Sequence, residues 1–196
     1  MDARLSRILT LVRTHVPELR LIDKHEVRWM RWVGGALRPL VPEFSTRYTT
    51  VLGSTVFLPR PPERIPPDVL SSTLAHELVH QLDQRRWGVL FYLSYGFLLP
   101  LGRTMRAHWE RRAYAVDLLL AWERGGEEEL QRITDLLVEL FAGRSYLWMW
   151  MGRGAARAYL APVVEGVRSG RLAAEEPYRS ILAAWHGDDD TEEESP

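Results

Sequence analysis

Apolar positions recur at helical spacing from the start of the chain. Leu5, Ile8, Leu9, Val12 and Val16 fall on one face and predict an amphipathic helix over residues 3–16 that stops near Pro17. Beyond it the period changes. "LRLID" reads as a short strand and "VRWMRWVGGAL" as a helix, while residues 46–59, "TRYTTVLGSTVFLP", are β-branched and aromatic around a central Gly-Ser, the composition of a strand or hairpin. "RPPERIPP" then supplies prolines that neither a helix nor a strand crosses. Pro67 can open a helix at its first turn, and Val69, Leu74, Leu78, Val79 and Leu82 carry it to about Arg86, with Gly88 as its stop. Further helices are expected over residues 103–122, ending at Gly125-Gly126, and over 127–141 and 154–167. "YLWMWM" also looks helical and reads as core or as a lid, and "RLAAEEPYRSILAAW" closes the fold. There is no internal repeat.

Composition narrows the class. A chain of 196 residues with 46% hydrophobic content is long enough for one helix-rich domain, expected over residues 1–186. The tail "GDDDTEEESP", residues 187–196, has no apolar residue and is expected to be disordered and acidic. A formal charge of -1 and a pI near 6.6 give no electrostatic reason to expect a nucleic-acid partner. Cysteine is absent, so a metal would be held by imidazole and carboxylate. The N-terminus "MDARLSRILTLVRTHVPEL" lacks the apolar region of a secretory signal, which makes cytoplasmic residence the expectation. The longest apolar run, "GVLFYLSYGFLLPLG", is shorter than a spanning helix and contains Pro100. It reads as core or pocket wall, with peripheral membrane contact as the lesser alternative.

The candidate chemistry lies in "STLAHELVHQLDQ". His76 and His80 stand one turn apart in the predicted helix, where two imidazoles can aim ring nitrogens at a common point. Glu77 flanks that point and is placed to take a proton from a water held there and later to return it. Zinc suits imidazole and carboxylate donors and needs no redox chemistry. Histidines and a glutamate on an otherwise apolar helix are costly to bury without partners, which weighs against an incidental arrangement.

A catalytic site needs a third protein ligand. Glu110 in "RAHWERRAYAVDLLLAW" is the favoured candidate, with His108 and Asp83 as alternatives. Glu110, Ala113, Tyr114 and Asp117 share one helical face, so Ala113 would admit a close helix and Tyr114 or Asp117 would support a ligand. The metzincin spacing is absent, since its Gly and third ligand would fall at Asp83 and Arg86. The motifs "HELVH" and "ERRAYAVD" resemble those of the gluzincin metallopeptidases, in which HExxH on one helix is completed by a Glu on a following helix. The strand-like stretch before the motif helix is similar to that family's substrate-binding edge strand, and the resemblance spans about residues 46–122.

That resemblance implies an α+β, zincin-like fold: a small β-sheet region packed on an active-site helix and several further helices. It also implies a zinc-dependent peptidase in which His76, His80 and Glu110 hold Zn²⁺, Glu77 is the general base, and the partner is a peptide or protein substrate. Several gluzincins carry an acidic residue four positions after the ligand Glu, where this chain has Tyr114; its first Asp is Asp117. Tyr92, Tyr95 and Tyr114 are candidates for donating to an oxyanion or, alternatively, for packing. A zincin-like scaffold without turnover is the rival function. His15, His25 and His186 lack a partner at ligand spacing.

Overall fold

The computed structural model describes residues 2–38, 46, 48–96, 100–143, 149 and 151–187, with only the backbone of 37, 96 and 100–104. It is helix-dominated with one small sheet, an α+β arrangement. Helix α1, Ala3–His15, starts at Asp2, whose carboxylate accepts from the Leu5 amide at 3.1 Å. Its expected face is the one that is buried.

Strand β1, Arg20–Asp23, leads through a 3-10 turn to α2, Arg28–Leu37. Residues 46–59 contribute β2, Thr50–Leu52, and β3, Thr55–Leu58. The order is β1-β3-β2, with β3 parallel to β1 and antiparallel to β2. Gly53 takes φ +58 at the tip of the hairpin, a conformation that favours glycine and that primed hairpin turns require. Alternation along β3 buries Val56 and Leu58 on one face, while Phe57 meets the edge of Trp29 from α2 at 5.4 Å.

Helix α3, Pro67–Trp87, is the hub of the fold. Leu70, Leu74, Ala75, Leu78 and Val79 join the core, and α3 packs against both α1 and the long helix α5. Its buried polar side chains tie it to the hairpin. The Gln81 amide donates to the Gly53 carbonyl at 3.1 Å, and that of Gln84 to Val51 at 3.3 Å, while Gln84 Oε1 accepts from the Gly53 amide at 2.8 Å. These bonds set the sheet beside the middle of α3.

At Gly88 the backbone adopts φ +51 and α3 ends. A separate helix, α4, Val89–Gly96, follows where the apolar run gave no helical signal. A uniformly apolar stretch carries no period from which a helix can be told. Helix α5, Pro100–Ala142, begins a turn earlier than expected, and its helical dihedrals are broken at Gly125 and Gly126, the predicted stop. Helices α6, Arg153–Arg168, and α7, Tyr178–His186, complete the described chain, with α6 on α5 and α7 on α1. Met149 is fully buried and Met151 packs on the core, both outside any helix, contrary to the helical expectation, whereas the rest of "YLWMWM" and residues 188–196 of the acidic tail lie outside the described residues.

Candidate metal centre

The middle of α3 faces the first half of α5. Both helices are buried there, and Ala113, fully buried, presents only a methyl group. His76 and His80, one turn apart, place their ring centroids 5.2 Å apart, and Glu110 of α5 comes between the helices at 1% exposure. One donor atom from each of His76, His80 and Glu110 lies within 4.8 Å of the others. The His80 Nε2 to Glu110 Oε2 separation is 3.9 Å. Donors tetrahedrally arranged at ~2.0–2.1 Å from zinc stand roughly 3.3 Å apart, so small side-chain rotations close the group on one ion.

Two observations test whether a cation fits. Glu110 Oε2 is buried without a hydrogen-bond partner, and so is His80 Nδ1. An unpaired carboxylate oxygen inside a protein is costly, and a cation at the focus of these donors would satisfy it. His76 is supported from outside the focus. Its Nδ1–H donates to Asp117 Oδ2 at 2.6 Å, which leaves Nε2 for the centre. Tyr114 lays its ring against His76 with centroids 4.8 Å apart. The other oxygen of Glu110, Oε1, accepts the Tyr95 hydroxyl from α4.

Electrostatics follow from this geometry. Burial alone would lower His76, but the Asp117 carboxylate, by charge and hydrogen bond, together with Glu77 and Glu110, raises it to about 9. His80 is pushed well below its ordinary value by burial and by the neighbouring cations His76, Arg106 and Arg112. Burial lifts the Glu77 carboxyl to about 7; Glu110 and Asp117 add to that, while His76 and Lys24 oppose it. Tyr95 is driven well above its usual value by burial and the adjacent Glu110, so it remains a donor.

The candidates from the sequence therefore separate. His76, His80 and Glu110 are brought together, Glu77 is near enough to feel the charges of His76 and Glu110, and Asp117 rather than Tyr114 holds the imidazole. Asp83 and His108 are not third ligands in this arrangement. Asp83 accepts from Arg112 Nε at 3.0 Å, and the His108 ring rests against Trp109, 4.9 Å between centroids. Asp83 lies at the contact between α3 and α5 but is taken there by Arg112, and His108 stands two positions before Glu110, about 200° around the helix from it. Tyr92 is engaged by Gln84 at 2.8 Å and is not placed for an oxyanion, whereas Tyr95 is within the site.

Lys24 was not foreseen. It is 2% exposed, donates to the Tyr48 carbonyl at 2.7 Å, and is lowered by burial to about 8 against the opposing pull of Glu77. Its one signal in the sequence is that it is the sole lysine among 25 basic residues.

Comparison of the chain with protein families, with characterised proteins and with solved structures finds no match.

Proposed function

We propose that the chain is a zinc-dependent peptidase of gluzincin type with a zincin-like fold. The observation that carries this reading is the convergence of His76, His80 and Glu110 to within 4.8 Å, with a buried, unpaired Glu110 oxygen and Glu77 on the adjoining helical position. Bound there, Zn²⁺ would polarise a peptide carbonyl and acidify a water. Glu77 would be the base that accepts a proton from the attacking water and returns it to the leaving amine. Asp117 holds His76 in one tautomer, and Tyr95 orients Glu110.

The hairpin fits this reading. It is bonded to α3 through Gln81 and Gln84, one and two turns beyond His76, which fixes the sheet beside the helix that carries both imidazoles.

Metal analysis of the purified protein and digestion of a peptide library test the proposal. The protein should carry stoichiometric zinc, lose cleavage on chelation and regain it on readdition. Glu77→Gln should keep the metal and lose about 10²–10⁴-fold in turnover. Cleavage by Glu77→Gln at the parent's rate would falsify the general-base assignment.

Burial favours a second reading. Glu77, His80 and Glu110 are 6%, 4% and 1% exposed, which suits a scaffold that holds a metal without turnover. Zinc at full occupancy with no cleavage of any peptide would select it.

A further inference from the structure

We infer that α4 seats the protein on an anionic membrane surface. The helix has two unlike faces. Phe91 and Tyr95 point inward, stacked at 5.4 Å and both against the His80 ring, whereas Val89, Leu90 and Leu93 are 70%, 63% and 48% exposed. Trp87, 46% exposed, stands immediately before them. Elsewhere among the described residues, large exposed apolar side chains are isolated, as Val69 and Leu136 are, or paired, as Trp29 and Trp32 are on α2. No described helix is long and apolar enough to cross a membrane, so the geometry is that of a helix lying in the interface.

Charge says what covers this face. From Gln84 to Trp109 the chain has no Asp or Glu but carries Arg85, Arg86 and Arg103, besides Arg106, which turns inward over the Tyr95 ring. Many arginines elsewhere meet a carboxylate, among them Arg132, Arg153, Arg157, Arg168 and Arg179. Among the described residues Arg85 and Arg86 meet none: Arg85 bonds the His15 carbonyl, and Arg86 lies 5.8 Å from the centre of the Trp87 ring. Exposed aliphatics beside Trp and unneutralised arginines match an acyl boundary under anionic headgroups. A second copy of the chain is the poorer occupant, because a two-fold contact through α4 would bring these arginines against one another without a carboxylate between them.

The proposal does not depend on the metal site, and the test keeps the two apart. The full chain is sedimented with vesicles of phosphatidylcholine containing phosphatidylglycerol, and with phosphatidylcholine alone. Binding is expected to the anionic vesicles, several-fold weaker on the neutral ones and weakened by salt. Val89→Ser/Leu90→Ser/Leu93→Ser should lower partitioning about tenfold or more while circular dichroism is unchanged, since these side chains are outside the core. Arg86→Gln should weaken binding to anionic vesicles about fivefold. His76→Ala should bind as the parent does, whatever becomes of zinc. Absence of binding to anionic vesicles, or equal binding by the triple variant, overturns the inference. So does a dimer in sedimentation velocity that the triple variant dissolves, which would give the face to a second copy.

Discussion

Asp117→Ala removes the acceptor that holds His76 Nδ1–H at 2.6 Å and leaves the three donors of the centre in place. Loss of such a support weakens metal binding by about 10–100-fold. Asp117 is 32% exposed, so water can enter and bond the ring in its place, which puts the expected loss near the lower end, about tenfold or ~1.4 kcal/mol. Asp117→Asn keeps an acceptor but drops the charge, and should cost about threefold. Zinc affinity is read by competition with a chromogenic chelator, with thermal melts to confirm the fold. Asp135→Ala serves as the control, because Asp135 pairs with exposed Arg157 far along α5. An Asp117→Ala protein that competes for zinc as well as the parent refutes the reasoning, since the ring would then need no orientation from α5.

Glu110→Ala should reduce bound zinc to a small fraction of stoichiometry, while Asp83→Ala and His108→Ala retain it; the reverse pattern in metal analysis would reassign the third ligand. Asp83→Ala should instead lower stability by about 1–3 kcal/mol in denaturant unfolding, because it strips the partner from half-buried Arg112, and an unchanged midpoint would show that the pair contributes nothing. Gln84→Ala removes bonds to Val51, Gly53 and Tyr92 together and should lower the melting temperature by roughly 4–8 °C, about 2 kcal/mol. A melt identical to the parent's would mean that the hairpin does not depend on α3.

Local signals along the chain were enough for α1, α3, the hairpin with its Gly53 turn, and the break at Gly125-Gly126, because each depends on a period of apolar residues or on glycine and proline geometry acting within a few positions. The pairing of His76 with His80 is likewise local, as helical pitch alone sets it. Choosing Glu110 over Asp83 and His108 was not local. All three are compatible with the motif's chemistry, and only the packing of α3 on α5 decides which carboxylate enters the gap and which is taken by Arg112. The same holds for Asp117, chosen over Tyr114 by the geometry of that contact, and for Lys24, which follows β1 and, once β1 pairs with β3, is buried near enough to feel the charge of Glu77. The α4 helix was hidden for the opposite reason. Its outer face is as apolar as its inner one, so the chain holds no contrast from which a helix or its orientation could be read, and only the fold divides the two.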